Sequence, residues 1–393
     1  MLFLNNSQFS VGLDISELSL KLVQLQKKGN KIKIQCISKV SLPSGLIVNG
    51  EIKNQEEIVK MIRKLIDKPR YGRITSDNVV ACLPEKKTFI KLIEIKKTPN
   101  NLSDIIESEI EKHVPMLIDE IYYDWQVISD KEDVQQVLIG ASPKNIVNQY
   151  TESLDRAGLS VEGLEIEPIS LCRSLLSEES LDFKGPYNKN YAIIDMGATR
   201  TSMVVYSKNT ILFTVSMPIS GDEITKNIAD SLEIEIDQAE KAKIVCGLDK
   251  SKANGVVYKI LSGMINDLNN KVSKALEFYN NGFSDRGPID CILLCGGGSN
   301  IEGIDEIIRQ SVSTLVKKGD PLINLGKEKE KFIEILADNY DLNIKNKGSK
   351  LILKTDKNKK IEKEKNISIR QNSSLIFTTA IGLALRRIFI DRI

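Results

Sequence analysis

The sequence predicts a mixed α/β protein of two lobes, each founded on the same β-hairpin unit. Three observations carry that expectation. Two segments half a chain apart read alike: Val11-Gly12-Leu13-Asp14-Ile15-Ser16 leads into Leu20-Lys21-Leu22-Val23, and Ile193-Ile194-Asp195-Met196-Gly197 leads into Ser202-Met203-Val204. Each is an apolar run, an aspartate, a tight turn and a second apolar run, followed by a further turn and a third β-rich run. A length of 393 residues is too great for a single hydrophobic core. Apolar residues at 41% and charged residues at 27% match an ordinary globular chain, so both lobes have enough apolar material to fold.

The elements follow in order. Residues 9–40 read as three strands. From Glu51 to Asp67, Ile58, Met61, Ile62, Leu65 and Ile66 recur at helical spacing. Val79 to Leu83 is a buried strand ending at Pro84. Residues 86–167 then have the order β-α-β-β-α-β: a strand from Phe89 to Ile95, and a helix from Ser103 to Val114 with Ser103 as its N-cap. Strands follow at Tyr122–Ile128 and Gln135–Ala141, then a helix from Lys144 to Ala157 that Gly158 ends, and a last strand from Val161 to Ile166.

Residues 168–183 look helical before the Gly185-Pro186 break. Residues 190–218 hold the second three-stranded unit, and 221–283 are mostly helical from Ser220-Gly221-Asp222 onward. Ile289 to Cys295 is a strand, Glu302 to Leu315 a helix, and Ser373 to Arg387 a final helix. From Asn339 to Asn366 the chain is rich in Lys, Asn and Glu, which reads as an exposed insertion. The expected division is therefore 1–85, 168–188 and 370–393 for the core of lobe one, with 86–167 inserted in it. Residues 189–220 and 285–338 form the core of lobe two, 221–284 a helical subdomain, and 339–369 the Lys-rich insertion.

Several function classes drop out. A net charge of +2, with glutamates mixed among the lysines, gives no support for nucleic-acid binding. The six cysteines are scattered among apolar residues and read as buried thiols, since no second close pair completes a zinc site with Cys291 and Cys295. His113 is the single histidine, before Pro115, so a histidine triad or multi-histidine metal site is excluded. No signal peptide opens the chain and no stretch suits a bilayer span, which points to a cytoplasmic location.

What remains is phosphate chemistry. Asp14 and Asp195 are hard carboxylates suited to holding Mg²⁺ through its retained waters. Backbone N–H groups of Gly197, Ala198 and Thr199, and of Ser16 and Glu17 in the first turn, suit phosphate oxygens. Gly296-Gly297-Gly298 follows a strand and precedes a helix, and lets a ring or sugar approach the backbone. Its spacing is neither the dinucleotide fingerprint nor a Walker A loop. Glu167, at a strand end, is placed to orient a water towards phosphorus.

In this order the motifs resemble those of the actin-like ATPases. The two phosphate loops correspond to Gly12–Ser16 and Asp195–Thr201, the two connecting motifs to Glu167–Ser170 and Thr379–Ala384, and the adenosine motif to Gly296–Gly303. The resemblance implies a two-lobed, ribonuclease H-like fold with an insertion of the kind found in FtsA. Ser16 and Ser19-Leu20-Lys21-Leu22 resemble the opening segment of the PilM branch, cytoplasmic components of type IV pilus assembly.

The resemblance implies ATP and Mg²⁺ as cofactors. It implies nucleotide contacts from Asp14, Ser16, Ser19 and Lys21, then from Gly197, Ala198, Thr199 and Thr201. Gly221, Glu240 and Lys243 would lie near the ribose, and Gly296, Gly297, Gly298, Ser299 and Ile301 near the base. It also implies a partner, the N-terminal cytoplasmic tail of a PilN-like inner-membrane protein, held between lobe one and its inserted unit. That partner would recruit the chain to the inner face of the membrane and link it to other platform proteins and motor ATPases. Binding, more than turnover, is the implied role, with at most weak ATP hydrolysis. An FtsA-like division protein would need a longer C-terminal tether than Arg386–Ile393, and a sugar kinase would need a catalytic base that is not evident. A type II secretion platform component is a further alternative that the residues do not separate.

Overall fold

Two sheets share one connectivity, and that likeness is the tertiary form of the sequence repeat. The computed structural model describes residues 9–29, 31–96, 102–130, 133–177, 189–217, 219–345 and 373–389, with the backbone alone at 338–345. The Gly185-Pro186 break, most of the Lys-rich stretch and residues 390–393 lie outside them.

In lobe one, β1 (Val11–Ser16) and β2 (Ser19–Lys28) form a hairpin continued by β3 (Lys31–Ser41). A parallel strand, β7 (Asn78–Leu83), pairs with the other side of β1. Two short strands, β4 (Ile47–Val48) and β5 (Glu51–Ile52), precede α1 (Gln55–Asp67), and β6 (Tyr71–Gly72) edges the sheet. In lobe two, β12 (Tyr191–Met196), β13 (Thr201–Ser207) and β14 (Thr210–Met217) repeat the hairpin, with β15 (Cys291–Cys295) parallel to β12. The strands with a parallel neighbour in these units, β1, β7, β12 and β15, are apolar almost throughout, as burial on two faces requires.

The α1 helix starts where Asn54 caps Glu57 N at 3.1 Å, and it buries Ile58, Val59, Met61, Ile62 and Leu65. The inserted unit is smaller than the pattern suggests. Among the described residues, β8 (Phe89–Lys96), β9 (Ile121–Asp130) and β10 (Val134–Pro143) form its sheet, in the order β8-β10-β9, packed against α2 (Leu102–His113). Its core joins Ile93, Ile139 and Val137 to Ile106 and Ile110 of α2. The α3 helix (Lys144–Ala157), which Gly158 ends at φ 92°, instead buries Ile146, Tyr150 and Leu154 against lobe one. The last strand, β11 (Ser160–Ile166), pairs in parallel with β7. The lobe-one order is thus β11-β7-β1-β2-β3-β6. Ser103 is not an N-cap, because α2 already begins at Leu102.

Lobe two carries α5 (Gly221–Leu232), capped by Ser220, then α6 (Ile236–Cys246) and α7 (Val256–Gly282). Leu261, Ile265, Leu268 and Val272 of α7 share one core with the β12-β13-β15 face. The segment from Glu302 to Leu315 is not one helix. Gly303, at φ 81°, starts α8 (Ile304–Ser311), and Leu315 then enters β16 (Leu315–Lys318), which pairs with β15. The helix α9 (Glu328–Lys345) corrects two boundaries. It continues through residues 339–345, and it seats Phe332 and Leu336 against Leu25, Ile37 and Phe377 of lobe one rather than in lobe two.

Two buried helices lie side by side between the lobes: α4 (Glu167–Leu175) and α10 (Thr378–Leu385). Glycines permit their approach. A Cβ at Gly382 would collide with the Ser170 carbonyl, and one at Gly12 would collide with the α10 backbone at Ala380 and Ala384. Arg173 of α4 locks this layer by a bidentate pair with Glu165 at 2.8 and 3.1 Å, and donates to Gly382 O at 3.0 Å.

Candidate functional site

The β1–β2 hairpin places Asp14 directly opposite Lys21, so both side chains emerge on one face. Lys21 Nζ lies 2.7 Å from Asp14 Oδ2, and both are buried. Ser16 Oγ donates to Asp14 Oδ1 at 2.7 Å and accepts from Lys21 at 3.2 Å. Ser19 stands at the hairpin tip, half-buried, in register with Ser16.

The matching turn of lobe two is longer. Gly197 N donates to Arg200 O at 2.8 Å, closing the loop. The loop is then tied to the start of α5, where Gly221 N donates to Gly197 O at 3.0 Å and Asp222 N to Ala198 O at 2.8 Å. The loop and the helix start lie close enough that a Cβ on Gly221 would just touch Ala198 Cα, at 3.4 Å. Ala198 is exposed and Thr199 half-buried at the loop surface. Thr201 Oγ1 is buried with no hydrogen-bond partner among the described residues.

Asp195 is half-buried at the end of β12. Burial, reinforced by the negative charges of Glu85 and Asp14, pushes its carboxyl up to about 6. Asp14 and Asp195, from different lobes, therefore share one electrostatic neighbourhood. Each also has a buried thiol beside it on the adjacent parallel strand: Cys82 Sγ is 3.8 Å from Asp14 Oδ1, and Cys295 Sγ is 3.5 Å from Asp195 Oδ1. Burial pushes the Cys82 thiol up to about 12 and Cys295 also upward, so both stay protonated donors. All six cysteines are free and buried.

The third loop packs behind the second. Gly296, at φ 78°, sits where a Cβ would strike the Asp195 carboxylate, and a Cβ on Gly298 would come 2.8 Å from Met196 Cβ. Gly297 faces more open space, its nearest neighbour being Ile376 Cγ2 at 3.9 Å. Ser299 is buried and donates to Gly296 O at 2.7 Å, which rounds the turn, and Ile301 is buried beneath it.

The structure also assembles Gly221, Glu240 and Lys243. Lys243 Nζ reaches Glu240 Oε2 at 2.6 Å, Gly221 O at 3.0 Å and Thr225 Oγ1 at 2.8 Å. Thr225, which pattern alone does not single out, is the hub of this group. Burial above all raises the Asp222 carboxyl at the start of α5, and the negative charges of Glu240 and, more weakly, of Glu17 on the first hairpin add to it.

Glu167 opens α4 and accepts from Thr379 Oγ1 at 3.3 Å. Its other oxygen pairs with Arg200, whose second guanidinium nitrogen is 2.6 Å from Glu85 Oε2. Sequence patterning passes over Glu85. Arg200 does carry a signal, as the charged residue in a turn of small and hydroxyl side chains. The possible ligand atoms of Asp14, Cys82 and Glu167 lie within 4.8 Å of one another, a group that does not include Asp195. Because the thiol keeps its proton, hard oxygen chemistry prevails, and carboxylates that reach a Mg²⁺ ion through its waters fit this arrangement.

A sequence model of type IV pilus assembly protein PilM matches residues 12–339. The chain belongs to the PilM family. Cell division protein FtsA of Bacillus subtilis (strain 168) is 20% identical over 361 residues, spanning 81% of this chain and 80% of that protein. FtsA of Streptococcus pneumoniae (strain D39) is 22% identical over 355 residues, spanning 79% and 75%. Among solved structures, a PilM-PilN type IV pilus biogenesis complex superposes with a TM-score of 0.71 at 21% identity, covering 96% of this chain and 98% of that one. The ethanolamine utilization protein EutJ from Carboxydothermus hydrogenoformans superposes at 0.52 with 13% identity, over 96% and 89%. This PilM-family chain has the two-lobed actin-like ATPase fold, and its family is one of type IV pilus assembly. No helix among the described residues is long and apolar enough to cross a membrane.

Proposed function

We propose that this PilM-family protein binds ATP with Mg²⁺ between its two aspartate hairpins and, so bound, holds the N-terminal tail of a PilN-like inner-membrane protein. The observation that carries the reading is that Asp14 and Asp195, from opposite lobes, lie in one electrostatic field, with Lys21 paired to Asp14 and Arg200 bridging the lobes to Glu167. Asp14 and Asp195 would orient the waters of the metal. The N–H groups of the Gly197–Thr199 turn and Lys21 would meet phosphate oxygens. The orphaned Thr201 hydroxyl is a further polar group at the end of that turn. Gly297, with Ser299 and Ile301 below, leaves room for the base, while Glu240 and Lys243 lie on the ribose side. Bound Mg²⁺ and triphosphate would supply the charge that draws the two lobes together. Glu167 is the group placed to orient a water.

The tail's groove lies between lobe one and the inserted sheet. Within described residues 9–177, the exposed large apolar side chains are Val48, Leu117 and Tyr122. Val48 and Tyr122 flank α3: Tyr122 reaches Asn148 at 3.4 Å, and Tyr150 holds the β4–β5 turn through Gly50 O at 3.2 Å. A PilN-like tail seated there would bring the chain to the inner face of the inner membrane and set it beside other platform proteins and motor ATPases. The test has two arms. ATP with Mg²⁺ should raise the unfolding temperature of the parent but not of Asp14→Asn or Asp195→Asn. A peptide copying the tail of a PilN-like protein encoded beside this gene should bind the parent and lose affinity in Tyr122→Ala. Equal thermal shifts in all three proteins would reject the nucleotide site, and no binding at high micromolar peptide would reject the groove.

A further inference from the structure

We propose that Arg200 is a phosphate-sensing residue, pairing with Glu85 and Glu167 across the cleft and passing its guanidinium to the last phosphate of a bound triphosphate. This rests on the nucleotide reading above and adds to it a residue and a means of telling triphosphate from diphosphate.

Arg200 belongs to lobe two, being the last residue of the β12–β13 turn. Both its carboxylate partners belong to lobe one. Glu85 follows β7 through Pro84, and Glu167 is the first residue of α4. The side chain is 19% exposed and its partners each 11%, so this bridge is largely withdrawn from water and stronger than a surface pair.

The cation of the first hairpin is committed elsewhere. Lys21 is held by Asp14 and Ser16 of its own hairpin, within lobe one. Arg200 is the cation here whose partners come from the opposite lobe. Its planar fork already grips two carboxylates by separate nitrogens, and phosphate oxygens present the same geometry and charge. The exchange needs little rearrangement of the turn, because the Gly197 N–Arg200 O bond and the two bonds to α5 hold its backbone.

The partner of Arg200 explains why the terminal phosphate is the one sensed. The Gly296–Gly298 loop and the Glu240–Lys243 group mark the base and ribose of the proposed ligand. Arg200 pairs instead with Glu167, the group assigned above to orient a water towards phosphorus. When Arg200 turns to phosphate, Glu167 keeps only its bond from Thr379, and its other oxygen becomes free to accept from water. Glu85, left without its cation, would repel an incoming triphosphate. It therefore acts as a competitor that sets the threshold for binding.

Calorimetric titration with the Mg²⁺ complexes of AMPPNP and ADP tests this on the full chain. Arg200→Ala should weaken AMPPNP about ten- to hundredfold, the value of one or two charge-assisted hydrogen bonds, and weaken ADP about threefold at most. Arg200→Lys, which keeps the charge without the fork, should lie between and carries the test if the alanine variant does not fold. Glu85→Gln should tighten AMPPNP several-fold. Equal losses for both nucleotides in the arginine variants, or weaker AMPPNP binding in Glu85→Gln, would overturn the proposal while leaving the nucleotide site standing. A parent that binds neither nucleotide would sink both.

Discussion

Replacing Asp195 by asparagine isolates the electrostatic cost of the cleft. Burial and the charges of Glu85 and Asp14 push this carboxyl from 3.8 up to about 6 in the folded protein. An acid whose folded pKa is raised holds its proton more tightly when folded than when unfolded. Below about pH 4 both states are protonated and the group costs nothing. Between about pH 4 and 6 the unfolded chain releases the proton first, so stability falls as pH rises, and above about 6 the full cost is present. A shift of roughly two units corresponds to about 2–3 kcal/mol. Asparagine keeps the shape and an acceptor for Cys295 without the charge. In nucleotide-free, Mg²⁺-free buffer, Asp195→Asn should therefore be more stable than the parent by about 2 kcal/mol near pH 7.5 and equal to it near pH 4. Urea unfolding followed across that range measures the gap. A variant that is less stable at neutral pH, or a gap that does not change with pH, would refute the shared field of the two hairpins.

Two further substitutions probe the frame around the cleft. Asp14→Ala leaves Lys21 buried without its carboxylate and should lose about 3–5 kcal/mol by urea unfolding. Adding Lys21→Met should restore much of that loss, and a double variant no better than the single would deny that the unpaired cation is the cause. Gly382→Ala drives a methyl into the Ser170 carbonyl, where no side chain can yield. It should cost about 1–3 kcal/mol or block folding, as chemical denaturation and soluble yield would show. A loss below about half a kilocalorie would mean that α4 and α10 separate easily.

The site was legible to unequal degrees. Asp14 and Asp195 stand out because a repeated strand–Asp–turn–strand pattern is a local signal, and local hydrogen bonding forms each hairpin. Lys21 follows from register, lying seven positions from Asp14 across a tight turn. Glu85 is different: only the packing of β7 beside β1 and the closeness of the two lobes bring it to Arg200, 115 residues away. Thr225 is similar, since an α5 hydroxyl gains meaning only when α6 lies against it.

The same distinction holds for the architecture. By itself the sequence determined the strands of both hairpins, the apolar face and end of α1 (though not its start, since Glu51–Ile52 form a strand), the stop at Gly158 and the glycine loop, because period, capping and turn chemistry act over a few residues. Tertiary structure decided that β11 joins β7 and not the inserted sheet, that α9 covers lobe one, and that 312–318 leave the helix for a strand. An apolar face specifies that it must be buried but not against which neighbour. That choice falls to whichever sheet edge or helix face is left open once the whole chain has packed.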